Sequence, residues 1–102
     1  MNFRIFKKST NELLSTGEIK NLYDIASVDG LINKALYACV NFNIVPNDIE
    51  IEVDDYTQET YVMCLTGDYG DISLRHYETR WYDNDGDIIK RYKCDHNYFG
   101  SL

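Results

Sequence analysis

Acidic residues at alternate positions form the segment whose chemistry is easiest to interpret. Residues 48–54 read DIEIEVD, so carboxylates alternate with β-branched apolar residues, which predicts a strand with one apolar and one acidic face. Side chains two residues apart on a strand are separated by roughly 6.6–6.8 Å, and the phosphates along one nucleic-acid strand are spaced on a similar scale. A basic groove that binds phosphates could therefore accept this acidic face. A plain solvated face without a partner is the alternative interpretation.

Tyrosines accompany the acidic residues. The chain has nine tyrosines, and exposed tyrosine is enriched in protein interfaces. Stacking of nucleic-acid bases on these rings is the competing interpretation, but it would need basic residues alongside, and the cluster Lys90-Arg91-Lys93 is small. We therefore predict that a protein partner binds the acids and tyrosines of this region: Asp48, Glu50, Glu52, Asp54, Asp55, Tyr56, Asp68 and Tyr69.

The charge of the chain is unevenly distributed along its length. The 102 residues include 17 Asp and Glu against 10 Lys and Arg, which gives a net charge of −7. Residues 1–46 carry 4 acids and 5 bases, whereas residues 47–102 carry 13 acids and 5 bases. Such a surface repels nucleic acid and anionic lipid and attracts a basic protein. We expect neither direct nucleic-acid binding nor membrane binding.

The cysteines and histidines could support metal or nucleophilic chemistry. Cys39, Cys64 and Cys94 are odd in number and follow no apolar N-terminal leader, which predicts reduced thiols in the cytoplasm. Cys94 and His96 are close in sequence, and His76 is the second histidine. A zinc site needs four convergent ligands with CxxC-type spacing, which the chain lacks. We predict no metal and no cofactor, and a small metal-dependent enzyme that uses these three residues remains the alternative from another class.

Hydrophobic periodicity predicts one helical region in the first half of the chain. Apolar residues recur at helical spacing over residues 28–42, which include Val28, Ile32, Ala35, Cys39 and Phe42. The helical region could begin near residue 21, and Asp29-Gly30 could divide it. Before it, residues 2–7 and 12–19 are predicted to form a hairpin. A capping box at residues 9–12 leaves open a short helix over residues 11–16.

The second half of the chain predicts strands joined by short turns. The predicted strands are residues 48–54, 59–66, 72–82 and 87–94. Tyr77 and Trp81 are expected on one face of their strand, residues 67–70 are expected to turn, and Asp83-Asn84-Asp85-Gly86 is a hairpin signal. The sequence therefore predicts a single α+β domain, residues 1–102, in which an antiparallel sheet of about four to six strands, in the order ββαββββ, packs against one main helical region.

In size and charge pattern, the chain resembles, at the level of a class, the small acidic inhibitors made by phages and other mobile elements, which include DNA-mimicking anti-CRISPR and anti-restriction proteins. This resemblance implies a non-enzymatic inhibitor that binds a basic partner, a nuclease or a nucleic-acid-binding effector complex, in the cytoplasm of the host cell. An immunity protein or antitoxin that neutralises a nuclease toxin would present the same kind of surface. A structural or assembly protein is a further alternative.

Overall fold

The computed structural model describes residues 1–68 and 71–99. These residues form six strands and one α-helix: β1 (Asn2–Lys7), β2 (Glu12–Glu18), α1 (Ile25–Phe42), β3 (Ile49–Asp54), β4 (Glu59–Asp68), β5 (Asp71–Tyr82) and β6 (Ile88–Phe99). The strands lie in one sheet in the order β2-β1-β3-β4-β5-β6, and each neighbouring pair is antiparallel. The predicted α+β class, with one helical region and an antiparallel sheet, is confirmed.

The first hairpin has the predicted strands, and the alternative helix over residues 11–16 is wrong. Asn11 takes a left-handed conformation, with φ 59°, in the turn between β1 and β2. Gly17 lies opposite Phe3 in the strand register, and a Cβ atom at Gly17 would come within 2.6 Å of the Phe3 ring. The glycine therefore leaves the space that the buried ring of Phe3 occupies.

The helix α1 begins and ends at recognisable caps. The side chain of Asp24 accepts a hydrogen bond from the backbone N–H of Ala26, and Asn43 ends the helix in a left-handed conformation. The helix continues through Gly30, so the predicted division at Asp29-Gly30 is wrong. The inclusion of Phe42 in the buried stripe is also wrong, because its side chain is 52% exposed at the last helical residue.

The hydrophobic core lies between α1 and one face of the sheet. The helix contributes Val28, Leu31, Ile32, Ala35, Ala38 and Cys39. The strands contribute Phe3, Ile5, Ile49, Ile51, Val53, Met63, Leu65, Ile72 and Leu74. The opposite face of the sheet, called the open face below, has no helix of the described chain packed on it. Within the described ranges, no helix is both long and apolar enough to span a membrane.

Two sequence predictions for β5 and β6 are wrong, and an irregular register explains the first of them. The register of β5 shifts between His76 and Glu78, which places Tyr77 on the open face, where its hydroxyl donates to Glu50. Trp81 lies on the core face. It pairs with Glu59, and Glu59 shares a face of β4 with Tyr61, two residues later, which packs against the core. The strand β6 runs to residue 99 rather than ending at residue 94. The first two residues of the predicted turn at residues 67–70 belong instead to β4, which ends at Asp68, and the other two lie outside the described residues.

Candidate functional site

The acidic strand takes the orientation that its alternation predicts. Ile49, Ile51 and Val53 are fully buried against the helix side, so Glu50 and Glu52 project onto the open face. The strand is central rather than at an edge, because β1 and β4 pair with its two sides. The carboxylates of β3 therefore have side chains of neighbouring strands on both sides.

Arg4 on β1 binds two of these carboxylates. Its Nη1 and Nη2 donate to the two oxygens of Asp54 at 2.7 and 2.8 Å, and its Nε and Nη2 donate to Glu52 at 3.2 and 3.1 Å. The planar guanidinium matches the carboxylate of Asp54 at both oxygens, which is the strongest ion-pair geometry available to a protein. The hydrogen bond from Arg4 is the main reason that the pKa of Asp54 is below its usual value.

Arg80 on β5 extends the charged network across the open face. Its Nε donates to Glu78 at 2.7 Å, and its Nη1 lies 3.7 Å from Glu52. Glu52, Val62 and Glu78 form one row across β3, β4 and β5, so the guanidinium of Arg80 connects the two carboxylates on either side of the valine. Val62 is fully buried although it lies on the open face. The hydrogen bond from Arg80 is the main cause of the lowered pKa of Glu78.

The remaining predicted site residues lie in different places. Asp48 accepts hydrogen bonds from Ser9 at the opposite end of β3, and Glu50 accepts one from Tyr77 at 2.6 Å. Asp68 is the last residue of β4, and Tyr69 lies outside the described residues. The structure thus does not bring the predicted site residues together on one surface. The carboxylates of β3 instead form ion pairs and hydrogen bonds with side chains of neighbouring strands.

Six carboxylates, of which only Asp55 belongs to the predicted set, gather at one end of the sheet. They come from the end of β2, the β3–β4 turn and the β5–β6 turn, and we call this surface the acidic end: Glu18, Asp55, Glu59, Asp83, Asp85 and Asp87. The register explains the grouping, because Asn2 pairs with both Glu18 and Asp54, and Glu59 pairs with Trp81. Consecutive turns of an antiparallel meander alternate between the two ends of the sheet, so the β3–β4 and β5–β6 turns share one end and the β4–β5 turn lies at the other.

Three carboxylates of the acidic end, those of Asp55, Glu59 and Asp83, accept hydrogen bonds. Asp83 accepts from the backbone N–H groups of Asp85 and Asp87, and Glu59 accepts from the indole N–H of Trp81 at 2.7 Å. Among the described residues, none of the six forms an ion pair with a lysine or arginine side chain. The acidic end is therefore a surface on which six carboxylates of the described chain lie close together without a paired lysine or arginine.

A cavity of about 400 Å³ lies beside the acidic end, between the start of α1 and the sheet. Tyrosines and histidines form much of its wall, and we call it the tyrosine cavity: Met1, Asn21, Leu22, Tyr23, Asp55, Tyr56, Tyr61, His76, His96 and Tyr98 line it. The side chain of Tyr23 is 92% exposed and that of Tyr56 is 83% exposed, so these two rings stand at its mouth. Asp55 and Tyr56 belong both to this cavity and to the β3–β4 turn.

The buried imidazole of His76 organises the wall of the tyrosine cavity. The ring of Tyr61 meets it edge to face at a centroid distance of 4.9 Å, and the ring of His96 stacks at 6.2 Å. Its Nε2 lies 2.9 Å from the carbonyl oxygen of Glu78 and 2.7 Å from the Thr79 hydroxyl. Burial is the main cause that lowers the pKa of His76, because the protein interior disfavours the imidazolium. The ring is therefore neutral near pH 7.

The structure brings Cys94 to His76, but not in the geometry of a nucleophile and its base. The sulfur lies 3.4 Å from Nδ1 and 3.5 Å from Nε2. A thiol aligned with the lone pair of one ring nitrogen would be much farther from the other, so the sulfur lies over the ring rather than in its plane. This is a packing contact between sulfur and an aromatic ring. No group of three or more metal-ligating side chains converges within the described part of the chain.

Of the acidic end and the tyrosine cavity, sequence reasoning predicted only Asp55 and Tyr56 as binding residues and missed the others. The acids of residues 83–87 are interpreted from the sequence as a hairpin signal, and that interpretation of the turn is confirmed by the left-handed Gly86, with φ 84°. The signal that could have indicated the acidic end is the presence of acids in two predicted turns, after residues 54 and 82, that lie at the same end of an antiparallel sheet. Comparison of the chain with family models, curated proteins and solved structures gives no match.

Proposed function

We propose that this protein is a small acidic inhibitor without enzymatic activity that binds the basic surface of a nucleic-acid-handling protein in the cytoplasm. The observation that carries the proposal is the acidic end, where the described chain leaves six carboxylates without an ion pair next to the exposed ring of Tyr56. Uncompensated charge of one sign accelerates association with a surface of opposite charge. Exposed tyrosine adds contact area at low entropic cost.

The proposal moves the binding surface from the acidic strand to the acidic end. Glu52 and Asp54 are bound by Arg4, so a partner that used them would first have to break these ion pairs. The carboxylates of the turns carry no such cost. Asp55 and Tyr56, which the sequence also predicts as binding residues, stay in the proposed surface. A phage counter-defence protein and an immunity protein or antitoxin would share this surface, and the identity of the bound partner distinguishes them.

The test is capture of partners from host lysate at low and high ionic strength by a charge-reversed variant. Glu18→Lys with Asp85→Lys changes the net charge by +4 at the exposed acidic end. Glu12→Lys with Asn33→Lys and Asn41→Lys makes the same change at exposed sites elsewhere. We expect the wild type and the control to capture a basic nucleic-acid-handling protein at low ionic strength, and the acidic-end variant to lose it. High ionic strength should weaken capture because salt screens exposed charges.

Equal capture by the two charge-changed variants would refute the proposed surface. Capture of proteins that do not handle nucleic acid, with none that do, would refute the proposed partner class. Reversal of Glu50, Glu52 and Asp54 is not a useful variant, because it would place positive charges against Arg4 and Arg80 and would destabilise the sheet.

A further inference from the structure

The wall of the tyrosine cavity combines aromatic rings with one carboxylate. Tyr61, His76, His96 and Tyr98 form a continuous group of rings with centroid distances of 4.9 to 6.5 Å. The faces of tyrosine rings carry partial negative charge and attract cations within about 6 Å. Asp55 supplies a full negative charge at the same wall. Rings around a carboxylate are chemically suited to a cation.

The hydrogen bonds of the cavity wall leave part of the Asp55 carboxylate free to bind a cation. The carboxylate of Asp55 accepts from the Tyr61 hydroxyl at 3.3 Å, the Thr57 hydroxyl at 3.2 Å and the Tyr56 backbone N–H at 2.6 Å. A carboxylate has about four acceptor positions, so one remains. The N-terminal ammonium of Met1 also lines the cavity. It donates to the Ile19 carbonyl and to the Tyr56 hydroxyl and forms no ion pair with Asp55 in the described structure.

We propose that the tyrosine cavity binds the guanidinium of an arginine side chain that the basic partner inserts at the acidic end. The proposal deepens the proposed function and rests on it for the source of the arginine. Arginine combines a long apolar stem with a planar cation that stacks on aromatic rings and pairs with carboxylates. Tyr23 and Tyr56 stand exposed at the mouth, so the stem would pass between them while the guanidinium reaches Asp55. Arginine is also enriched among the residues that anchor protein interfaces.

The position of the cavity connects it to the docking surface. Asp55 and Tyr56 line the cavity and also line the neighbouring surface depressions that contain Glu18 on one side and Asp83 on the other. A partner attracted by the acidic end would therefore have its basic side chains at the mouth of the cavity. The neutral ring of His76 adds no positive charge near pH 7. The ammonium of Met1 is an opposing charge at this wall, against which the carboxylate of Asp55 and the tyrosine rings must attract the guanidinium.

The test uses Nα-acetyl-arginine amide as the probe, because the guanidinium is its only charge. Nα-acetyl-citrulline amide is the matched neutral probe of nearly the same shape. We expect the arginine probe to give saturable NMR shifts of the tyrosine and histidine rings of the cavity, with an affinity roughly tenfold higher than that of the citrulline probe, which corresponds to the loss of one charge interaction.

Variants of the protein identify the binding groups. Asp55→Asn keeps a side chain that can accept hydrogen bonds but removes the charge, and Tyr23→Ala removes a ring that is almost fully exposed and therefore not needed for folding. Each variant should weaken binding of the arginine probe several-fold. Tyr37→Ala is the control, because Tyr37 is also exposed, at 71%, but lines a different surface on α1. It should bind the probe as the wild type does.

The outcomes separate this inference from the proposed function. Equal binding of both probes, or tighter binding of a nucleoside monophosphate at the same rings, would overturn the arginine assignment. Absence of arginine binding, together with capture that depends on the acidic end, would overturn the cavity proposal and leave the proposed function in place. Binding of the arginine probe without any partner captured through the acidic end would support the cavity and refute the proposed function.

Discussion

Replacement of Arg4 by glutamine should cost this protein a large part of its stability. The guanidinium makes four charge-assisted hydrogen bonds to Asp54 and Glu52, and its side chain is 31% exposed. Exposed ion pairs contribute about 0.2–1 kcal/mol each, whereas loss of one partner of a buried pair costs about 3–5 kcal/mol. For two half-buried pairs we expect a loss of about 2–3 kcal/mol, because Asp54 then loses its paired cation and Glu52 keeps only Arg80, 3.7 Å away.

The assay is urea denaturation at pH 7, followed by circular dichroism and by the fluorescence of Trp81. A loss of about 2–3 kcal/mol corresponds to a decrease in Tm of roughly 10–20 °C for a domain of this size. Arg91→Gln is the matched control, since the Arg91 side chain is 59% exposed and lies 3.6 Å from Glu78. It should lose less than about 1 kcal/mol.

Lower pH should reduce the difference in the free energy of unfolding between the wild type and Arg4→Gln. The pKa of Asp54 is lower in the folded protein, mainly because of Arg4, so the stability that the pair contributes is present above the pKa of the unfolded chain. It is lost as the pH falls through the lower pKa of the folded state. The two stabilities should therefore converge below about pH 4. If Arg4→Gln and Arg91→Gln have the same stability at pH 7, the carboxylates of β3 do not depend on Arg4 and the argument fails.

Two further predictions concern the packing around Phe3 and the titration of His76. In urea denaturation, Gly17→Ala should lower the free energy of unfolding by about 1–3 kcal/mol, because the new Cβ would lie 2.6 Å from the buried ring of Phe3. Gly30→Ala in the helix should raise it by about 0.5–1 kcal/mol, because no atom lies within 4 Å of the new Cβ. Destabilisation of similar size in both variants would contradict this account of the packing. Burial lowers the pKa of His76 in the folded protein. The unfolded chain therefore takes up a proton first, and the free energy of unfolding should decrease as the pH falls below about 6.5. His76→Gln should flatten this decrease, and an equally steep profile in the variant would show that His76 does not cause it.

The local periodicity of the sequence was sufficient to predict much of the fold. Alternation over residues 48–54 indicated which side chains of β3 face the core, and Ile49, Ile51 and Val53 are indeed buried there. Helical spacing located α1, and its error lay at Phe42, the last residue of the helix, whose side chain is exposed. These patterns depend on neighbours two to four residues apart, so they are present in the sequence before any tertiary contact forms.

The tertiary structure alone decided which charges remain available to a partner. The sequence determined that the acids of β3 share one face, but Arg4 lies 48 residues before Glu52, and only the insertion of β1 beside β3 brings the two together. The same sheet order collects the acids of separate turns into the acidic end and encloses the tyrosine cavity beside it. Charge pairing across strands depends on sheet order and register, which arise from packing of the whole chain and leave no periodic signal in the sequence.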